Sequence, residues 1–160
     1  MELYILRHGE AEPRESGIAD GDRELIKKGK VEVRAVAKAA RRAKVDPQLI
    51  LTSPLKRARE TAEVAAAVFK GCAIKETDAL LPDASPDATW KAACSNAKIS
   101  RVILVGHEPH LSHVLSFLLE GEIAVDLKKG ALVRIDTPKR TGSPNGVLKW
   151  MMTPRLARGS

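Results

Sequence analysis

The sequence predicts an α/β protein, a single-domain three-layer sandwich whose mainly parallel central sheet carries helices on both faces and ends in a C-terminal hairpin. Three observations predict it. Short apolar runs recur at Leu3-Tyr4-Ile5-Leu6, Leu49-Ile50-Leu51 and Val102-Ile103-Leu104-Val105, and they are continuous rather than alternating, as strands covered on both faces are. A turn and a helical pattern follow each run. No repeat, low-complexity stretch or linker divides the 160 residues, which suffice for one core without disulfide or metal staples.

The first strand opens into a polar loop and then a helix of about 23–44. That helix directs Leu25, Val33, Val36, Ala37 and Ala40 to the core and Lys27, Lys30, Arg34, Lys38, Arg41 and Arg42 to solvent. The second strand runs into TSPLKRARETAEVAAAVF, where Ser53 suits an N-cap and Pro54 the first helical position. Ser85-Pro86 starts another helix, carrying Trp90 and Ala93. After the third strand, GHEPHLSHVLSFLLEG reads as a short loop and a helix closed by Gly121. Finally ALVRID and GVLKWMM flank the turn-rich KRTGSPNG as a hairpin, with Met151 and Met152 as core filler. The domain is expected over 1–155, with 156–160 (LARGS) a frayed tail.

Composition narrows the function classes. An apolar strand starting at Glu2-Leu3 leaves no room for a signal peptide, and no apolar run approaches the roughly 18 residues of a membrane span. No membrane partner and a cytoplasmic location are therefore expected. The only two cysteines, Cys72 and Cys94, stand far apart outside any C-x-x-C pattern and are read as buried, reduced thiols. The net charge of +7 is uneven: residues 23–44 hold nine Lys and Arg against two Glu, whereas residues 1–22 hold two basic and six acidic groups. A basic helix raises the possibility of nucleic acid. The five aromatics, Tyr4, Phe69, Trp90, Phe117 and Trp150, are scattered in apolar patterns and build no stacking platform. The helix face is read as solvated, and no nucleic-acid partner is expected.

In an open α/β sheet, ligands bind beyond the carboxyl ends of the strands. The first strand delivers Arg7-His8-Gly9 there. The second delivers Ser53-Pro54 and a helix bearing Arg57 in its opening turns, and the third delivers Gly106-His107-Glu108-Pro109. Two histidines and two arginines without a carboxylate cluster make a poor metal site, because the arginines repel a cation; no metal or cofactor is expected. They make a good anion site. Guanidinium forks match phosphate oxygens, and a neutral imidazole among cations keeps a lone pair that can attack phosphorus. Gly9 is read as letting the backbone pass close to the ligand.

R-H-G after the first strand, S-P-L-K-R-A-R-E-T-A after the second and V-G-H-E-P after the third resemble the signature of the histidine phosphatase (phosphoglycerate mutase-like) superfamily. The short chain, DRELIKKG and VLKWMMTP are similar to its small branch, the SixA-like phosphohistidine phosphatases. The resemblance implies a metal-independent phosphatase in which His8 is the nucleophile, forming a phosphohistidine intermediate that water hydrolyses. It places Arg7, Arg57 and a cationic His107 around the phosphate, with Gly9 and Arg23 as substrate-binding residues. The implied partner is a phosphorylated protein, a histidine-phosphotransfer or phosphocarrier domain, or else a small phosphorylated substrate. Two alternatives stay open: a small-molecule phosphomonoesterase on the same fold, and a noncatalytic phosphate- or nucleic-acid-binding module.

Larger relatives place a glutamate as general acid. The candidates here are Glu76, Asp78, Asp83 and Asp87, none in an alignable pattern. An imidazole leaving from a P–N bond needs less help from an acid than an alkoxide does, which favours phosphohistidine as substrate. Glu10 and Glu12 are placed near the pocket mouth, and His110 and His113 on the helix after GHEP in surface or packing roles.

Overall fold

A computed structural model describes residues 1–138 and 140–159. Lys139 in the KRTGSPNG turn and Ser160 at the tail lie outside the described residues. Six strands form one sheet: β1 (Glu2–Arg7), β2 (Leu49–Thr52), β3 (Ala73–Glu76), β4 (Arg101–Gly106), β5 (Leu132–Asp136) and β6 (Val147–Met152), in the order β3-β2-β4-β1-β5-β6. The four strands from β3 to β1 run parallel, and β5 and β6 are added antiparallel, the expected hairpin.

Helices cover both faces. α1 (Lys27–Arg42) and α2 (Lys56–Val68) lie on one, α3 (Pro86–Cys94) and α4 (His110–Leu119) on the other. Strand parity sorts the two cores. Leu3, Ile5, Leu51, Val102 and Leu104 pack with Trp90, Leu111 and Leu115; Tyr4, Leu6, Ile50, Ile103 and Val105 pack with Val36, Ala58 and Ala62. Both sides of every central strand are therefore removed from water, which is why these strands read as unbroken apolar runs.

Several boundaries differ from the sequence reading, each for a local reason. α1 begins at Lys27 rather than near 23, because Arg23–Leu25 is extended and Leu25 bridges to Ala11. Ser53 does not cap α2: Leu55 holds that position, and the Ser53 hydroxyl is turned to His107. Ser85 does cap α3, accepting from the Ala88 amide at 3.1 Å. α4 closes on Glu120 in the left-handed conformation (φ 54°), not on Gly121. β3 was not anticipated; it is a four-residue edge strand with every side chain exposed, so it has no apolar run to betray it. Met151 is exposed and Met152 half-buried on edge strand β6 rather than filling the core. Cys72 and Cys94 are free but only part-buried. Residues 154–158 form a short helix, α5 (Pro154–Arg158), which takes in 156–158 of the expected tail, with Thr153 accepting from the Leu156 amide. Among the described residues no helix is long and apolar enough to cross a membrane.

Candidate active site

The sheet order sets β4 between β1 and β2, so three strand ends deliver their loops side by side. Arg7 pairs with Gly106, the His8 amide donates to the Gly106 carbonyl at 3.0 Å, and the Ser53 amide donates to the Val105 carbonyl at 3.0 Å. His8, Ser53 and His107 are thereby fixed as neighbours by backbone register. Arg7, His8, Arg57 and His107 all line one cleft of about 420 Å³, and Arg23 lines it too.

His8 is buried, and its Nδ1 lies 2.7 Å from the Gly9 carbonyl. A carbonyl only accepts, so Nδ1 carries the proton and donates, leaving the lone pair on Nε2. Burial pulls the His8 pKa down to about 3, with His107, Arg57 and Arg7 pushing the same way. The ring is therefore a neutral imidazole at physiological pH.

His107 needs its ligand to become the cation that the resemblance implies. Burial, reinforced by Arg57, pulls the pKa of the ring itself down to about 3 as well. Its Nε2 lies 2.8 Å from the Ser53 hydroxyl. The reason is tertiary: the loop after β4 sinks the ring to 2% exposure beside a guanidinium. A dianionic phosphate in the cleft would reverse that balance by setting negative charge against the ring.

The arginines are held from behind. Arg7 Nη1 donates to the Leu127 carbonyl at 2.8 Å, and Arg57 Nη1 donates to the Asp20 carbonyl at 2.8 Å. Arg7 Nε, Arg57 Nε and His107 Nδ1 are buried without a hydrogen-bond partner among the described residues. Buried polar atoms are rarely left so, and here three belong to side chains that line one cleft. Arg23 is 7% exposed, with its Nε and Nη2 on Asp20 Oδ1 at 3.1 and 2.8 Å and its Nη1 on the Glu12 carbonyl at 2.9 Å.

Gly9 has a different task from the one read in the sequence. It does not line the cleft; its amide donates to Thr61 Oγ1 at 3.1 Å, and a Cβ there would meet Val33 Cγ2 at 2.9 Å and the Gly29 carbonyl at 3.0 Å. Glycine at this position lets the loop after β1 lie against α1. Thr61 in turn donates to the Arg57 carbonyl at 2.7 Å, so the His8 loop and α2 are tied together.

The four acid candidates fall outside the cleft. Glu76 pairs with Arg59 at 3.7 Å, Asp87 pairs with Lys91 at 2.6 Å, and Asp78 and Asp83 are exposed elsewhere. The carboxylates that do line it are Glu12, Glu15, Asp20 and Glu108. Glu12 accepts from the Glu24 amide at 3.0 Å, Glu108 accepts from the Ser112 amide at 2.8 Å and from its hydroxyl, and Asp20 serves Arg23 and Arg57. Three of the four are committed as acceptors. Glu10 turns aside to Lys28 at 2.9 Å. His110 is buried against Thr89 at 2.9 Å, joining α4 to α3, whereas His113 is exposed. Asp20 escaped the sequence reading, leaving only a D-x-x-R spacing in a loop. Ser53 was placed at the strand end but read as a helix cap rather than as the partner of His107.

Comparison with known proteins fits this geometry. Residues 3–82 match the sequence pattern of the histidine phosphatase superfamily (branch 1). The chain belongs to that superfamily and is a phosphatase acting through histidine. Within it, the chain groups with the SixA-like branch. It is 25% identical over 160 residues to the phosphohistidine phosphatase SixA of Escherichia coli, spanning 96% of this chain and 94% of that protein. The structure of the protein histidine phosphatase SixA complexed with tungstate superposes with a TM-score of 0.86 at 25% identity, over 96% of this chain and 97% of that one. An uncharacterized protein of Picosynechococcus sp. is 36% identical over 137 residues, 83% of each chain.

Proposed function

We propose that this phosphatase removes the phosphoryl group from phosphohistidine on a partner protein, through a phosphohistidine intermediate on His8. His8 Nε2 attacks phosphorus in line, the P–N bond to the substrate imidazole breaks, and that imidazole departs with a proton. Water then attacks the phosphoryl group on His8, the P–Nε2 bond breaks, and inorganic phosphate leaves. Arg7, Arg57 and Arg23 hold the phosphoryl oxygens, and His107, protonated once the anion is bound, opposes the charge that builds up during transfer.

One observation carries the choice of substrate. Three of the four carboxylates lining the cleft already accept hydrogen bonds, and the fourth, Glu15, is exposed on the loop before Asp20. An alkoxide leaving group needs a proton donor poised beside it; a phosphoimidazole takes a proton from water on its other ring nitrogen and leaves as neutral imidazole. A further support is the likeness to a protein named as a phosphohistidine phosphatase.

The test compares turnover of a histidine-phosphorylated protein domain with that of sugar phosphates, nucleotides and a phosphoserine peptide. A preference of about 10²-fold or more in kcat/KM for the phosphohistidine protein is expected, the scale of one missing acid catalyst. Equal or better turnover of a sugar phosphate would make this a small-molecule phosphomonoesterase. Binding without turnover of any of them would make it a noncatalytic module.

A further inference from the structure

We propose that Asp20 is a positioning residue, whose carboxylate and carbonyl lock Arg57 and Arg23 into a clamp already shaped for phosphate. The inference rests on reading the cleft as a phosphoryl-transfer site. Its basis is a set of contacts that no other described residue duplicates. Asp20 Oδ1 accepts from Arg23 Nε and Nη2 at 3.1 and 2.8 Å; Asp20 Oδ2 accepts from Arg57 Nη2 at 3.3 Å; and its main-chain oxygen accepts from Arg57 Nη1 at 2.8 Å.

The two arginines come from different elements, Arg57 from the first turn of α2 and Arg23 from the extended segment that enters α1. Nothing in either element fixes one guanidinium relative to the other. Asp20 does so because the 3-10 turn Asp20–Asp22 brings its carbonyl and its carboxylate to the same side of the cleft. The guanidiniums are nearly sealed from water, with side-chain exposures of 4% for Arg57 and 9% for Arg23, whereas the Asp20 side chain is 57% exposed. The carboxylate therefore contributes little to the core and sits at the mouth, where its effect falls on the arginines.

Charge alone argues against such a residue. A carboxylate beside a phosphate pocket repels the substrate and cancels part of the attraction of the arginines. What it supplies in return is geometry: an arginine with several free torsions becomes a fixed fork, so less freedom is lost when the phosphoryl oxygens arrive. The two effects have opposite signs, and that makes them separable by experiment.

Asp20→Ala and Asp20→Asn in the full chain are compared with wild type in three measurements: kcat and KM, affinity for orthovanadate and for inorganic phosphate, and the ¹⁵N resonances of the arginine side chains. Orthovanadate takes the five-coordinate shape of the transfer transition state and phosphate does not. Asp20→Ala is expected to lower kcat about tenfold, to weaken orthovanadate by a similar factor and to affect phosphate less. The Arg23 Nη resonances, held apart in wild type by restricted rotation, should merge, and those of Arg57 should draw together less, because its bond to the main-chain oxygen of residue 20 remains. Asp20→Asn should retain part of each property, since its amide oxygen still accepts. In an Arg23→Ala background, Asp20→Ala should cost less than it does in wild type, because the two share one interaction. Undiminished kcat with tighter binding of both anions, or unmoved arginine resonances, would overturn the proposal and leave Asp20 a mere counter-charge. If the wild-type chain neither turned over a phosphorylated substrate nor bound orthovanadate, the reading of the cleft would fail, and the arginine resonances would still decide the role of Asp20.

Discussion

The rings of His8 and His107 face each other with centroids 5.2 Å apart and planes tilted by 52°. Burial beside three arginines keeps both neutral, so the cleft presents one imidazole as a nucleophile and one as a latent cation.

That pairing makes stability depend on pH. Both pKa values fall from the ordinary 6.5 to about 3 on folding. Between those limits the unfolded chain binds more protons than the folded one, so the stabilisation is complete above about pH 6.5 and is lost as pH falls toward 3. Denaturant midpoints measured from pH 7 to pH 4 should fall less steeply for His107→Gln than for wild type. Parallel curves would mean that His107 titrates in the folded protein as it does in the unfolded chain.

Arg57 and Arg59 are two positions apart on α2 yet differ completely in setting. Arg57 is 4% exposed in the cleft, whereas Arg59 is 45% exposed and paired with Glu76. Arg57→Ala should lower turnover on the order of 10²-fold or more and weaken orthovanadate, while Arg59→Ala should stay within about twofold. Steady-state kinetics of the two variants checks this, and equal losses would contradict the assignment.

Gly29 closes the packing behind the nucleophile loop. A Cβ there would lie 2.2 Å from the Glu10 carbonyl and 2.8 Å from its amide. Backbone on both sides cannot yield cheaply, so Gly29→Ala should destabilise the fold by about 2 kcal/mol or more, despite alanine's better helix propensity. Urea unfolding measures it. A neutral or stabilising effect would show that the loop after β1 is free to move.

Activity should persist in EDTA, because the arginines and an anion-bound His107 supply the positive charge that a divalent metal supplies elsewhere. Loss on chelation that is restored by one divalent metal would contradict this.

How much of this was legible before the structure depends on what each residue does. β1, β2 and β4 announce themselves as apolar runs because they are buried on both faces, and placing Arg7, His8, Arg57 and His107 at their ends needs only the rule that such sheets bind ligands there. β3 was silent, since an exposed charged edge strand has no apolar pattern. Asp20 sits in a loop of 3-10 turns without periodicity, and only its contacts reveal it. That the His107 ring is neutral on its own was not legible, because burial is a tertiary property. Gly9 was given to the ligand when its partner is α1, a contact between segments some 20 residues apart that sequence alone does not display.

The most direct test asks where the phosphoryl group goes. Brief reaction with ³²P-phosphorylated substrate, quenched at alkaline pH and digested, should leave label on the peptide containing His8, stable to base and lost in acid. His8→Ala should carry no label and lose turnover by on the order of 10³-fold or more while remaining folded, because a side chain lining a cleft holds little of the core. Label on another residue, or near wild-type turnover by His8→Ala, would contradict His8 as the nucleophile.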